Sequence, residues 1–125
     1  MACVFCSIKN YALENDLAFA LFDLTPVNKG HMLIIPKRHV QNFFDLTPEE
    51  ETAMLDLLRK CKDLLEEKYH PDGYNFGVNC NECAGQSVMH VHMHLIPRYK
   101  GDTDSPNGGI RLVIPQRAAY PRDRE

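Results

Sequence analysis

The sequence predicts an α+β domain in which an antiparallel sheet of about five strands is covered on one face by a long helix. Short apolar runs bounded by turn residues lie on both sides of one long segment with helical periodicity. The connection between the first two runs is too short for a parallel crossover, so we expect those strands to pair antiparallel. At 125 residues the chain can form one core. We expect a single domain over residues 1–125, with its core at about 3–100 and an extension at 101–125.

The first two predicted strands form a hairpin. Leu17–Asp23 and His31–Pro36 are short apolar runs of the kind that form buried strands. Between them, Leu24–Gly30 carries the Pro, Asn and Gly of a tight loop.

The long helix is predicted from Pro48 to about Tyr69. Thr47 is suited to the N-cap and Pro48 to the first helical position, and Glu50 completes a capping box. Charged residues occupy the opposite side of this segment from an apolar stripe, which we expect to pack on the sheet. The stripe consists of Ala53, Met54, Leu57, Leu58, Cys61, Leu64 and Leu65.

Three further strands are predicted after the helix. Tyr74–Asn79 alternates larger apolar with small or polar residues, which is typical of a half-buried strand. The loop Cys80–Gln86 leads into an apolar strand that carries three histidines. Gly109–Pro115 is predicted to be a last short strand, and residues 117–125 to be a loosely held polar tail.

Composition excludes several classes of function. The formal net charge of −3 gives no general reason to bind nucleic-acid polymers or anionic membranes. No apolar run approaches the ~20 residues of a spanning helix, and the first residues do not resemble a signal peptide. Five cysteines without a signal argue for reduced thiols or metal ligands. We therefore expect a cytoplasmic protein.

The most informative segment places three histidines at alternate positions. In an extended strand, His90, His92 and His94 share one face with neighbouring rings roughly 6–7 Å apart. The apolar residues that alternate with them point into the core: Val91, Met93 and Leu95. Imidazole is a good nucleophile near neutral pH, so one interpretation is nucleotidyl transfer. Histidines two apart also chelate zinc, so a metal site is a second interpretation. Histidines in a purely structural role are the third.

Beyond these patterns, the chain resembles the histidine triad superfamily. His90–Ile96 fits the signature His-φ-His-φ-His-φ-φ, in which φ is apolar. Gly85–Ser87, Leu17–Asp23 and Gly30–His39 also look like segments that precede the triad in this family, and the resemblance spans roughly residues 3–97. The resemblance implies a HIT-like fold with one long helix and a short helix on the sheet, and a homodimer in which two sheets meet edge to edge.

Two later segments refine the resemblance. Pro97–Asp102 and Gly108–Arg111 look like those of bacterial family members that resemble diadenosine polyphosphate hydrolases. The implied activity is hydrolysis or transfer at the α-phosphate of an adenine or other purine nucleotide conjugate, with diadenosine polyphosphates as the leading substrates. A purine nucleoside phosphoramidate hydrolase is the first alternative. Phosphorolysis of the dinucleotide and a nucleotide-binding regulator with negligible turnover are the others.

The resemblance also implies roles for individual residues. His92 would attack the α-phosphate and carry a nucleotidyl intermediate, His94 would assist the leaving group, and His90 would orient the site. Five residues would bind the substrate: Asp23, His31, Asn79, Gln86 and Ser87. A slot for the base would be formed by Phe5, Ile8, Phe19 and Leu21.

A structural zinc site is the expected cofactor site, and no metal is required for catalysis. Cys3 and Cys6 have zinc-ligand spacing, and the resemblance supplies His39 and His90 as the other two ligands. A site of four cysteines that adds Cys80 and Cys83 is an alternative, and absence of metal is another. A catalytic zinc held by the three triad histidines is also kept open.

Overall fold

The computed structural model describes residues 3–120, and it contains a five-stranded antiparallel sheet with one long helix on one face. The strands are β1 Leu13–Glu14, β2 Ala18–Phe22, β3 Met32–Pro36, β4 Gly73–Val78 and β5 Met93–Arg98, and helix α1 is Pro48–Tyr69. The order across the sheet is β1-β2-β3-β5-β4. The predicted α+β class and antiparallel sheet are confirmed.

The strand register assigns each residue to one face of the sheet. Leu33 on β3 lies opposite His94 on β5, and Gly77 on β4 lies opposite the same histidine. Because paired residues of antiparallel strands point to the same side, these positions share one face. Ile34 and Met93 pair on the other face and belong to the core beneath α1. The sheet therefore packs against α1 with one side and presents His94 on the other.

Helix α1 begins where the capping pattern places it. The Thr47 hydroxyl accepts a hydrogen bond from the Glu50 backbone N–H at 3.1 Å, and the Glu50 carboxylate accepts from the Thr47 N–H at 2.9 Å. The helix ends at His70, which adopts a left-handed conformation with φ of 52°. The side of α1 that faces the sheet is fully buried at Met54, Leu57, Cys61 and Leu65. The short helical element before α1 is a 3₁₀ turn, Phe43–Asp45.

Two hydrophobic clusters lie on opposite faces of the sheet. The larger fills the space between the sheet and α1. The smaller consists of Phe5, Phe19, Leu33 and Ile35, and it lies between the N-terminal segment and the other face. No helix within residues 3–120 combines the length and the apolar character needed to cross a bilayer.

The prediction of a strand at Gly109–Pro115 is wrong. This segment forms two 3₁₀ helices, Gly109–Val113 and Pro115–Arg117. Gly108 and Gly109 both have positive φ, which breaks an extended chain, and the Arg111 N–H bonds the Gly108 carbonyl at 2.8 Å.

The strand through the histidines is also shorter than predicted. Only His94 lies in β5, and His90 and His92 precede it in irregular chain. The alternation still holds, because Val91, Met93 and Leu95 are all buried in the main core. Of the predicted polar tail, residues 121–125 lie outside the described part of the chain.

Candidate active site and metal centre

A cleft of about 610 Å³ opens on the sheet face opposite α1. Its polar lining residues include five that come from three separate parts of the chain: Asp23, His31, Ser87, His92 and His94. Its apolar walls include Phe5, Ile8 and Leu21 from the predicted base slot, together with Leu33 and Val88. Phe19 is instead buried beneath Tyr11, with the two rings stacked at 4.2 Å. The fold thus gathers most of the predicted substrate site into one cavity.

His92 is held with one ring nitrogen directed at the backbone and the other left as an acceptor. Its Nδ1 lies 2.9 Å from the carbonyl oxygen of His90. A carbonyl can only accept, so Nδ1 carries the proton and Nε2 of the neutral ring keeps its lone pair. The Phe5 ring packs against the imidazole edge to face at 5.0 Å and helps to bury it to 7 % exposure. The arrangement presents an unprotonated nitrogen at the cleft.

His94 is held by His31, which immediately precedes β3. The backbone N–H of Val27 donates to His31 Nδ1 at 3.0 Å, so the proton of neutral His31 is on Nε2. That nitrogen lies 2.9 Å from His94 Nδ1, and Nε2–H of His94 is therefore free to donate. The Asp23 carboxylate lies 3.6 Å from the same His31 nitrogen.

Electrostatics keep both of these rings neutral. Burial lowers the pKa of His31, against a smaller opposing effect of Asp23. Burial, followed by the neighbouring His92 and His31, lowers the pKa of His94 to about 4. At neutral pH, His31 and His94 are therefore uncharged imidazoles rather than imidazolium cations. Each offers the cleft hydrogen-bond donors and acceptors but no positive charge.

His90 belongs to a different cluster, beside the cleft. It is fully buried, and its Nε2 donates to the Pro36 carbonyl at 2.8 Å. Nδ1 is thereby left as an acceptor, 3.4 Å from Cys3 Sγ and 3.5 Å from Cys6 Sγ. His39 Nδ1 lies 3.3 Å from Cys6 Sγ. Tetrahedral zinc with ordinary bond lengths separates sulfur and nitrogen ligands by about 3.5 Å, so these four residues fit a zinc ion.

The other metal arrangements considered from sequence are not assembled within residues 3–120. Cys80 and Cys83 do not join the Cys3–Cys6 cluster, and the three triad histidines do not converge on one point. Asp23, His31 and His94 do lie close together. However, the 2.9 Å separation of the two ring nitrogens is that of a hydrogen bond and is shorter than the roughly 3.3 Å expected for two nitrogens on one zinc ion.

Two predicted phosphate-binding residues lie away from the cleft. Gln86 is buried, and its side-chain oxygen accepts from the Asn81 N–H at 2.8 Å. Its amide group donates to the carbonyls of Gln41 and Val88 at 2.8 and 3.0 Å, so both amide hydrogens are already used. Gln86 thus holds the loop that presents Ser87, rather than facing a ligand in this conformation.

Asn79 lies on the far side of the His31–His94 pair. It is half-buried just after β4 and lines a second cavity of about 430 Å³ that both histidines also border. It is therefore placed on the side of His94 away from the Phe5 wall.

Sequence reasoning missed the backbone groups that set the histidine tautomers. The Val27 N–H and the carbonyls of Pro36 and His90 decide which ring nitrogen of each histidine is protonated. The sequence carries no signal for them, because every residue has these groups and only the fold brings them to the rings.

The structure is that of an α+β domain in which a sheet presents two paired histidines to a cleft, beside a cluster of two cysteines and two histidines. The family model of the HIT domain matches residues 7–101, and the chain belongs to this family. Protein hit of Bacillus subtilis is 41% identical over 109 residues, which cover 80% of this chain and 74% of that protein.

Two further similarities are informative. A bis(5'-adenosyl)-triphosphatase of Dictyostelium discoideum is 42% identical over 90 residues, which cover 72% of this chain and 60% of that protein. The crystal structure of a Zn-bound histidine triad family protein from Mycobacterium smegmatis matches with a TM-score of 0.75 and 32% sequence identity, and the match covers 83% of this chain and 80% of that chain.

Proposed function

We propose that this protein is a nucleotide hydrolase that cleaves at the α-phosphate through a nucleotidyl intermediate on His92. The observation that carries the proposal is the fixed tautomer of His92. Its Nδ1–H is held by the His90 carbonyl at 2.9 Å, and its Nε2 lone pair is available to the cleft. A neutral imidazole with one nitrogen anchored in this way is an oriented nucleophile.

The proposed reaction has two displacement steps. His92 Nε2 forms a bond to the α-phosphorus while the bond to the leaving group breaks and its electron pair leaves with that group. Water then attacks the same phosphorus, the N–P bond breaks, and nucleoside monophosphate and a proton are released. The Nε2–H of His94 is suited to donate to a phosphoryl or leaving-group oxygen, and Ser87 offers a second donor.

The cleft is suited to hold the nucleoside part of the substrate. Its apolar walls at Phe5, Ile8 and Leu21 can sandwich a base. Asp23 lies at the end of β2 with one carboxylate oxygen held by the Thr25 N–H at 2.9 Å, and the other oxygen can accept from ribose hydroxyls. We propose a purine nucleotide as the bound portion.

Diadenosine polyphosphates are the leading proposed substrates. The support is the relative named as a bis(5'-adenosyl)-triphosphatase and the resemblance of the triad and its flanking segments. A nucleoside phosphoramidate, which differs only in its leaving group, is the alternative substrate. A regulator that binds nucleotide without turnover is the alternative from another class.

Zinc is proposed as a structural ion. Cys3, Cys6, His39 and His90 would hold it, and the Zn-bound relative supports this assignment. When bound, zinc would neutralise the two thiolates and fix His90 through Nδ1. The nucleophile lies outside this cluster, so the proposed reaction involves no step at the metal.

The first prediction concerns the nucleophile. His92→Ala should lower turnover of diadenosine tetraphosphate by at least 10³-fold, because it removes the group that forms the covalent bond. It should leave nucleotide binding largely intact, since the apolar walls and Asp23 remain. The measurement is product formation at near-stoichiometric enzyme, with binding of adenosine monophosphate followed by calorimetry.

The matched control is His70→Ala, which changes a histidine at the C-terminal end of α1, outside the cleft. This variant should turn over like the wild type. Normal turnover by His92→Ala would reject the assignment of the nucleophile, and tight binding without any wild-type turnover would favour the regulator.

A further inference from the structure

The loop between β2 and β3 forms one rim of the cleft without being packed there. Leu24, Thr25 and Val27 all line the cleft. Leu24 is 96 % exposed and Val27 is 73 % exposed, so the hydrophobic core does not hold these side chains. The position of this rim therefore depends on hydrogen bonds of the loop rather than on packing.

The second half of the loop is bonded to the end of β5 and to the turn that follows it. Asn28 Nδ2 donates to the Asp102 carboxylate at 2.7 Å and to the Pro97 carbonyl at 3.1 Å, so both hydrogens of its amide group are used. The Tyr99 hydroxyl donates to the Lys29 carbonyl at 2.7 Å. Three bonds thus anchor the loop on the side away from the cleft.

Asp102, the acceptor for Asn28, is itself fixed from several directions. Arg98 Nε and Nη2 donate to its two oxygens at 2.9 and 2.8 Å, and the Tyr99 N–H donates at 3.0 Å. Arg98 Nη1 also donates to the Asn75 side chain on β4 at 2.7 Å. The Asp102 side chain is 13 % exposed, and the Arg98 hydrogen bonds hold its pKa well below the usual range. Asp102 is therefore a charged acceptor tied to two strands, and it lies outside the cleft.

We infer that Asn28 and Asp102 are positioning residues that hold the β2–β3 loop, and with it the rim of the cleft, in the conformation that receives the nucleotide. The inference rests on the proposed function and adds residues outside the cleft that set its affinity. A rim held in place before binding loses less conformational freedom when the ligand arrives. Releasing the rim weakens the binding of substrate and transition state alike, which raises KM and leaves kcat nearly unchanged.

Asn28→Ala is the direct test, because it removes the side-chain bonds of the loop and leaves the Arg98–Asp102 ion pair intact. We expect the KM for diadenosine tetraphosphate and the Kd for adenosine monophosphate to rise roughly 10-fold, the effect of losing a hydrogen bond to a charged group. We expect kcat to change by less than about 3-fold. His92 keeps its own anchor, since the His90 carbonyl is not part of the loop.

A double-mutant cycle tests whether the two residues act through one bond. Asp102→Ala should also raise KM, because it removes the acceptor for Asn28. The double variant should raise KM by clearly less than the product of the two single factors, since the second substitution breaks a bond that the first has already removed.

Two further variants bracket the effect. Tyr99→Phe removes only the bond to the Lys29 carbonyl, so it should raise KM by a smaller factor, roughly 2- to 5-fold. Glu14→Gln is the matched control, because it breaks a 2.7 Å ion pair with Lys37 that lies outside the cleft. It should leave KM and kcat unchanged.

Hydrogen exchange provides a readout besides activity. The backbone amides of Val27 and His31 are hydrogen-bonded within the loop. In Asn28→Ala they should exchange roughly 10-fold faster, while the amides of α1 keep their wild-type rates. A merely structural role would instead speed exchange throughout the core and lower the Tm.

The outcomes separate this inference from the proposed function. Unchanged KM and nucleotide binding in folded Asn28→Ala would overturn the inference, as would a fall in kcat at constant KM or factors that multiply in the double variant. Each of these results leaves the hydrolase proposal standing. A wild type that neither binds nor cleaves nucleotide would reject the proposed function, and this inference with it.

Discussion

Glu50 connects the start of α1 to both Thr47 and Arg38 through hydrogen bonds. Its carboxylate accepts two hydrogen bonds from Arg38, at 2.8 and 2.9 Å, while one oxygen also accepts from the Thr47 N–H. The side chain is only 5 % exposed. A buried carboxylate with this many donors links the helix N-terminus to the segment after β3, which also carries His39.

Glu50→Gln should destabilise the fold by about 1–3 kcal/mol at pH 7, since a buried charge-assisted pair is broken. The Arg38 hydrogen bonds lower the pKa of Glu50 from 4.5 to about 2. The contribution is therefore fully present above pH 4.5 and is lost as the pH falls from 4.5 towards 2. Urea unfolding of the wild type and the variant at pH 7 and at pH 3 measures it.

Glu49→Gln provides the control for this prediction, because Glu49 is exposed in the same first turn. It should change stability by less than about 0.5 kcal/mol. A difference between wild type and Glu50→Gln that stays constant from pH 7 to pH 3 would contradict the assigned cause.

Individual residues show where sequence reasoning succeeds and where it stops. The Thr47–Glu50 capping box was predictable, because it depends on neighbours in sequence. Gln86 is predicted to bind phosphate, and that role stays a prediction; the bond from its amide group to the carbonyl of Gln41, 45 positions away, was not foreseen. Contacts at such separations depend on the path of the whole chain, which local patterns do not specify.

At the scale of elements, the Cys/His cluster joins three segments that have no strand pairing with one another. Cys3 and Cys6 come from the N-terminal segment, His39 from the loop after β3, and His90 from the segment before β5. An ion bound there would fix the N-terminal segment, and with it the Phe5 wall, to the sheet face.

We predict that the purified protein contains one zinc ion per chain and that chelation lowers its Tm by on the order of 5 °C or more. Cys6→Ser should abolish zinc binding, because it removes one of four ligands. Elemental analysis and calorimetry after gel filtration measure both effects.

Cys83→Ser is the matched substitution for the zinc prediction, because Cys83 is exposed and lies outside the cluster. It should retain zinc and the wild-type Tm. Loss of zinc in Cys83→Ser would instead support the four-cysteine site.

The strands also show why some elements were predicted and one was not. The runs at β2 and β3 are apolar at nearly every position and are bounded by turn residues. Gly109–Val113 carries a similar apolar pattern, yet it forms a 3₁₀ helix. Composition indicates that a strand is possible, whereas the backbone decides whether it forms, and Gly108 and Gly109 both have a positive φ that an extended strand does not have.

For the whole molecule, the open edge of the sheet at β4 bears on how two copies of the chain assemble. Within residues 3–120 this six-residue strand pairs with β5 alone, and Phe76 near its centre is 55 % exposed. An open strand edge with an exposed aromatic residue favours pairing with a second copy of the chain. The predicted homodimer therefore remains our proposal for the assembly.

Light scattering should give twice the chain mass of 14.3 kDa for the wild type. Phe76→Lys should shift the particle towards the monomer, because a charge at the strand edge opposes pairing. Leu24→Lys, at a position 96 % exposed in the β2–β3 loop, should leave the mass unchanged. A wild type that remains monomeric at high micromolar concentration would reject the dimer.

The separation of the two hydrophobic clusters has a consequence for how this scaffold can change over evolution. The cleft wall at Phe5 and Ile8 packs with the small cluster, whereas the strands and α1 are stabilised by the large one. Substitutions in the first residues can therefore reshape the cleft wall without loosening the main core. The division separates the shape of this cleft wall from the stability of the main core.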